Sequence, residues 1–445
     1  MLTKSKLVFK DYNPKQNFLF PPNLSELIER NHPVRTVSAV IDGLDISNLI
    51  HQYKPGGTSV YHPKMLLKVL VYGYLCNIYS SRKLEQALKE NVHFMWLSAM
   101  NRPDHNTLNR FRSERLNGQL KDIFAKIVVY LEKEGLVSLQ TIFTDGTKLE
   151  ANANRYTFVW GKTIKKNEER IESQLEDLWK YTQEIAKEEV KDTSEVVFKP
   201  MDKEKVKTVI ETIDTALKNK KIPSKVRQKI NYAKKNWPAN LERYKKQQEI
   251  LGSRNSYSKT DPDASFMRMK EDHMLNGQLK AAYNLQLSTE NQFIVNYTLH
   301  SNPGDTKTLI AHIENFENLY NKRPKEIVTD AGYGSEENYI LLQKKKIKAY
   351  IKYNYFDKDQ KSKTVTSSPT NPRLSKLRHK VHRLLNTKRG VKLRKQRCHD
   401  VEPVFAQIKH NKGFKRFFLR GQNKVEIETG LIAIAHNLRK LALAG

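Results

Sequence analysis

Cysteine is nearly absent. Cys76 and Cys398 are the only two in 445 residues, which excludes a disulfide scaffold and a thiolate zinc finger. Long apolar runs are missing too. No stretch approaches the roughly eighteen apolar residues that a membrane span needs. The opening MLTKSKLVFKDYNPKQ has no apolar segment behind its lysines, so a secretory signal is not expected. Acid is scarce relative to base: 48 Asp and Glu against 79 Lys and Arg leave a formal charge of +31. At 38% apolar and 9% aromatic the chain can still bury a core, so its charge does not imply disorder. The expectation is a soluble, intracellular, strongly basic protein of two or three domains. Charge of this sign and size points to a nucleic-acid partner, through phosphate contacts that release counterions. A membrane surface fits less well, because no segment joins a basic face to an insertion face of Trp, Phe and Leu.

Residues 1–118 read as helical. Leu66, Leu67, Val69, Leu70, Tyr74 and Leu75 recur at helical spacing, and a second helix carries Leu84, Ala87 and Leu88. After Arg102–Pro103, Asp104 is placed to cap a third helix with Leu108 and Phe111 inward and Asn106, Asn109, Arg110 and Arg112 outward. Such an Asn/Arg face suits a helix-turn-helix-like module that reaches base edges and phosphates; a plain helical bundle with a polar exterior fits these residues equally.

Residues 136–145 form an apolar, β-branched run ending in Asp145. From about 165 to 250 helical spacing returns amid dense Lys and Glu (Ile171, Leu175, Leu178, Ile185; Val206, Val209, Ile213, Leu217), which reads as an inserted helical subdomain. Tyr283, Leu285 and Leu287, then Phe293, Val295, Tyr297 and Leu299, alternate around a turn at Ser288–Asn291, predicting a hairpin with one buried face. A helix with Leu309, Ile313, Phe316 and Leu319, a strand EIVTD ending at Asp330, a further helix and strand, and an apolar closing helix complete the pattern. Residues 361–399 hold thirteen Lys and Arg and no acid, the best basic patch for a phosphate backbone, with a solvated loop as the alternative for 359–372.

Without the insert this order describes an α/β fold, a hairpin followed by right-handed parallel crossovers. Asp145 and Asp330 each end an apolar strand. If those strands are neighbours, both carboxylates open into one crevice at the sheet edge. Glu402 is the third candidate, in a helix that Asp400 is placed to cap, with Val401, Val404, Phe405 and Ile408 as its buried stripe. Lys409, seven residues on, shares that face. Three carboxylates suit two hard cations such as Mg²⁺ in phosphodiester chemistry. Each acid also has a plain reading, as a turn residue or as a partner of a helix dipole. His62, His93, His273 and His379 show no ligand spacing suited to zinc, and the Asp261–Pro262–Asp263 run reads as a turn.

Several segments resemble the DDE transposases of bacterial insertion sequences. TDGTKLEANANR (144–155) is similar to the block around that family's first aspartate, and DPDASFMRMK, YNLQL and VTDAGYGSEEN (within 261–338) to the stretch leading to the second. VEPVFAQIKHNKGFKRFFLRG (401–421), followed by HNLRKL, resembles the glutamate block, and PDHNTLNRFR (103–112) the helical leader. The resemblance implies a ribonuclease H-like mixed sheet flanked by helices: a helical DNA-binding domain at 1–118, a catalytic core at 119–160 plus 255–445, and a helical insertion at 161–254. It implies Asp145, Asp330 and Glu402 as ligands of two Mg²⁺ or Mn²⁺ ions, and Lys409 as a contact to transposon DNA. Arg397 joins Lys409 in positioning phosphates. Double-stranded DNA (terminal inverted repeats and target), a dimer on DNA, and a place at the bacterial nucleoid follow from the same resemblance. Trp160, Trp179 and Trp237 are implied to stack on unpaired bases; two buried and one at the surface is the plainer expectation. The family's arginine four residues before the glutamate is Cys398 here, the nearest arginine is Arg397, and no tyrosine lies close. The resemblance therefore carries over neither a clamp on the transposon-end phosphate nor a hairpin route for cutting the second strand. A non-catalytic DNA-binding relative and a nuclease without strand transfer stay open as alternatives.

Overall fold

The computed structural model describes residues 23–53, 60–186, 202–269, 278–362 and 371–444. His273 and most of the loop expected over 359–372 lie outside them. The first part is helical: α1 (Pro33–Gly43), α2 (Ser47–Ile50), α3 (Pro63–Leu75), α4 (Ser81–Glu90), α5 (Val92–Leu97), α6 (His105–Arg110) and α7 (Leu120–Lys133). Two of these start alike. Pro33 and Pro63 occupy the first helical turn, where no N–H is required, and the His32 and His62 rings accept from the Val34 and Lys64 amides at 3.2 Å. Nearly every residue of α3 is buried, because α1, α5 and the last helix of the chain all pack on it.

The second part alternates strand and helix: β1 (Thr141–Glu150), β2 (Phe158–Trp160), α8 (Gly161–Ile185), α9 (Lys203–Ala216), α10 (Ser224–Leu251), β3 (Ser256–Ser258), β4 (Ser265–Arg268), β5 (Leu279–Glu290), β6 (Phe293–His300), α11 (Leu309–Tyr320), β7 (Glu326–Thr329), α12 (Glu336–Lys344), β8 (Lys348–Ile351), α13 (Phe356–Ser362), α14 (Pro372–Leu385), α15 (Lys388–Asp400), α16 (Glu402–Ala406) and α17 (Gln422–Ala444). The main sheet runs β4-β5-β1-β7-β8, and β6 also pairs with β5. β5 lies antiparallel to β1, whereas β1, β7 and β8 are parallel. β4 and β6 share the outer edge of β5 in succession, at 279–282 and 284–290. This mixed sheet between helices is of the ribonuclease H-like kind.

The strands differ from the sequence expectation in three ways. β1 begins at Thr141 and continues past Asp145 to Glu150, because β5 is long enough to pair with it through Glu150↔Ala282. The β5–β6 turn is the two-residue Asn291–Gln292, with φ of +53° and +61°, the twist that best matches a hairpin. Both faces of this hairpin are buried, not one, since α11 covers one side and α17 packs against β6.

A single apolar core joins Ile41 and Leu70 of the N-terminal helices to Phe124, Leu285 and Ile434. The helical insertion after the first strand has a second core of its own, with Ile171, Leu175, Trp179, Ile213 and Trp237. Its stem is the antiparallel β2–β3 pair, closed by Gly161 N donating to Asn255 O at 3.0 Å. Trp179 and Trp237 are buried and Trp160 is half-buried. No helix among the described residues is long and apolar enough to cross a membrane.

Candidate active site

The parallel ladder between β1 and β7 pairs Thr141 with Glu326 and ends with Phe143 and Val328. Continuing that register two residues sets Asp145 level with Asp330. Asp145 is thus not at the end of its strand, as the sequence suggested. It sits mid-strand, where β1 loses its parallel neighbour but keeps Leu287 of β5 opposite. The reason is length: β7 stops at Thr329 while β5 runs on. The Asp145 carboxylate accepts from Gly146 N at 2.7 Å and pairs with Arg397 Nη1 at 3.2 Å. Asp330 leaves β7 directly and accepts from Gly332 N at 2.9 Å, starting the 3-10 turn Ala331–Tyr333.

Glu402 reaches the same place from another direction. α15 is anchored at both ends. Arg389 near its start holds buried Glu326 through Nε at 2.8 and 2.9 Å. Asp400 at its end accepts from Thr289 Oγ1 at 2.6 Å and Gln292 N at 3.1 Å. Asp400 is therefore not the cap of the following helix: Val401 takes that position and the Asp400 carboxylate is committed to the β5–β6 hairpin. Between these anchors Arg397 projects so that Nη1 meets Asp145 and Nη2 meets Glu402 Oε1 at 3.0 Å. One guanidinium spans two acids that stand 257 residues apart in the chain, by their numbers Asp145 and Glu402.

A fourth carboxylate, absent from the sequence reading, completes this edge. Asp305 Oδ1 accepts from Asn284 Nδ2 at 2.8 Å and Gln286 Nε2 at 2.9 Å. It lies so close to the neighbours of both strand acids that a Cβ on Gly146 would stand 2.6 Å from its Oδ1 and one on Gly332 3.6 Å from its Oδ2. Gly146 is needed here for room. Buried Tyr333 donates to Gln286 Oε1, and its hydroxyl is pushed far above the usual range, first by burial and then by Asp305, Asp145 and Asp330 together. The signal for Asp305 was an acid directly after the Pro303–Gly304 turn, on the connection from β6 back to the sheet. Turn chemistry alone accounted for it.

Four carboxylates (Asp145, Asp305, Asp330 and Glu402) and a basic side chain near one sheet edge give hard oxygen donors of the kind divalent cations prefer, and the guanidinium between Asp145 and Glu402 shows that positive charge is accommodated there. The donor set fits such ions in kind. Among the described residues no three His, Cys, Asp or Glu side chains are already gathered around one point. An ion between Asp145 and Glu402 requires Arg397 to move.

The other expected contacts divide. Asp104 caps α6 by accepting from Thr107 N at 2.8 Å, and Asn106, Asn109 and Arg110 are exposed. Arg112 is not on that outer face. It is 3% exposed and donates to Tyr79 O at 2.7 Å and Tyr74 Oη at 3.3 Å, because the π-helical turn Phe111–Arg115 turns it inward. Lys409 follows half-exposed Glu402 on the same helical segment. It is 9% exposed and lies in a second π-helical turn, Gln407–Asn411.

Two family matches bear on this arrangement. Residues 22–114 match the family described as Transposase domain (DUF772), and residues 356–442 match the family described as Transposase DDE domain. The second span includes Arg397, Glu402 and Lys409; neither reaches Asp145, Asp305 or Asp330. No curated protein and no solved structure matches the chain.

Proposed function

With a transposase domain in its N-terminal helices and a DDE transposase domain at its C-terminal end, the chain belongs to the DDE transposases of insertion sequences, and we propose that it cuts and joins DNA at the ends of its own element. In this reading it binds terminal inverted repeats, cleaves by Mg²⁺- or Mn²⁺-dependent hydrolysis, and directs the freed 3′-hydroxyl to target DNA. Asp145, Asp330 and Glu402 would hold two ions. When bound, such ions supply charge stabilisation on the phosphate and lower the pKa of the attacking hydroxyl or water. Asp305, tied to Asn284 and Gln286, keeps the loop before α11 against the two strand acids. Arg397 would leave its carboxylates for DNA phosphate. Asn106, Asn109 and Arg110 of α6, in a DNA-binding unit over 1–118, would contact the repeat, and the basic helices α14 and α15 its backbone. The catalytic core would comprise 119–160 plus 255–445, and the insertion 161–254. Work on two ends calls for a dimer on DNA.

The observation that supports this reading is the Arg397 bridge between Asp145 and Glu402, with the β1–β7 register setting Asp330 level with Asp145. The test is a labelled duplex from the DNA flanking the coding region, incubated with Mg²⁺. Wild type is expected to cut and join it, while Asp145→Ala, Asp330→Ala and Glu402→Gln bind it without cutting. Binding with no metal-dependent cut by wild type overturns the catalytic reading. Cutting without joined products reduces it to a nuclease.

A further inference from the structure

Away from the acids, the C-terminal end of α17 and the turn after the second π-helical segment enclose a cavity of about 260 Å³, lined chiefly by Gln292, Gln407, Lys412, His436, Arg439 and Lys440. Among the described residues its lining holds three basic side chains, Lys412, Arg439 and Lys440, and no acid. Lys412 is 3% exposed, and the one bond its ammonium makes is a long one, 3.5 Å, to Tyr74 O. Lys440 reaches Gln292 Oε1 at 3.5 Å and lies over the Phe293 ring. His436 Nε2 donates to Gln292 O at 2.9 Å. Among the described residues no ion pair answers Lys412, Arg439 or Lys440. Buried charge without a counter-charge is heavily penalised, and the strain is visible in the groups themselves. Burial, then Arg439, push the Lys412 ammonium down to about 8. His436 is pushed down to about 4 by burial and by Lys412, Lys440 and Arg439, with its bond to Gln292 O opposing. The groups facing Lys412 are the Cys76 thiol, Arg439 and the Tyr74 carbonyl.

We propose that this cavity is a binding site for a phosphate oxyanion, filled in function by a phosphodiester of the DNA backbone. A tetrahedral anion would accept from Lys412, Arg439 and Lys440 and from the side-chain amides of Gln292 and Gln407, supplying the missing negative charge. Gln407 and Lys412 follow Glu402 along the same helical segment, and Gln292 N is tied to Asp400. An anchored phosphate would therefore fix the duplex relative to the acids without taking part in chemistry. The assignment of the anion to DNA rests on the transposase reading; the oxyanion site itself does not.

The test is done in EDTA, so that cleavage plays no part. Full-length wild type, Lys412→Met and Arg439→Gln are titrated with a fluorescent duplex across a range of KCl concentrations, and their melting is followed with and without inorganic phosphate. Each variant is expected to bind the duplex about ten-fold more weakly and to lose about one unit of salt slope. Phosphate is expected to raise the melting temperature of wild type more than that of either variant. Duplex binding that changes in this way assigns the site to the DNA backbone, and a phosphate effect alone assigns it to free phosphate. Variants that keep wild-type affinity, slope and phosphate response overturn the site. Arg439, being partly exposed, keeps the test readable if Lys412→Met fails to fold. Wild type that binds no duplex sinks the transposase reading but leaves the phosphate arm standing.

Discussion

Two regions of this molecule are all helix, and they are built on opposite principles. The insertion between β2 and β3 closes around its own core, with Trp179 and Trp237 inside and a two-strand stem as its attachment. Among the described residues, the N-terminal helices share the sheet's core. α3 packs on α17, and the buried polar groups cross the same seam: Arg112 donates to Tyr74 Oη, which donates to Glu428 Oε1 at 3.0 Å, while Glu428 also accepts from the Phe418 and Leu419 amides at 2.9 and 2.8 Å. Helical sequence alone does not distinguish a module from a wall of someone else's core. What distinguishes them is where the apolar faces point.

The strongest way to break this comparison is by deletion. Removing residues 1–118 is expected to abolish cooperative folding, because it strips the cover from α17 and leaves Glu428 buried without Tyr74 and Arg112. Joining Trp160 to Asn255 through a short linker is expected to leave a folded protein with a sharp urea transition, since Gly161 N and Asn255 O are already bonded. A remainder that unfolds on excision would show that the insertion is structural to the core. One step down in size, Glu428→Ala should cost about 3–5 kcal/mol, the usual loss when one partner of a buried charged network is removed. The insertion's Lys203–Glu242 pair, open to solvent, should tolerate Lys203→Ala with no measurable change in the denaturation midpoint. Equal effects would erase the distinction.

Smaller effects sharpen the comparison of the acids. Asp305→Asn keeps the shape but removes charge beside Asp145 and Asp330. It is expected to lower the rate of metal-dependent cleavage about 10–100-fold, as loss of an outer partner commonly does, while leaving duplex binding in EDTA unchanged. An unaltered rate would make Asp305 purely a loop anchor. The smallest effect concerns pH. The Lys412 ammonium sits at about 8 in the folded chain and near 10.4 unfolded. Between those values the unfolded chain binds more protons, so stability rises with pH. The destabilisation is fully present below pH 8. The free protein should gain about 2 kcal/mol between roughly pH 7.5 and 9.5 by urea denaturation, and Lys412→Met should be flatter over that window. A wild-type curve that falls instead would mean that Lys412 is charged and satisfied in the native state.

Much of the architecture was legible because it is local. Helical spacing marks α3 and α4, Asp104 caps α6, and period-two alternation places β5 and β6. The misreadings share a cause. The outward direction of Arg112 assumed an unbroken α-helix, which is interrupted there by a π-helical turn that no propensity signals. Asp145 was read as a strand end because hydrophobicity stops there, whereas β5 carries the strand on. Asp305 was passed over because an acid after Pro–Gly needs no further explanation within its own loop.

The chain alone determined its charge and its alternation of elements, because those follow from composition and from periodicities set by neighbours a few residues away. Only the tertiary structure decided that β1 lies beside β7, that Arg397 bridges Asp145 and Glu402, and that Lys412 is buried among other cations. These are contacts across hundreds of residues, fixed by which faces must be hidden from water together, and no local pattern encodes them.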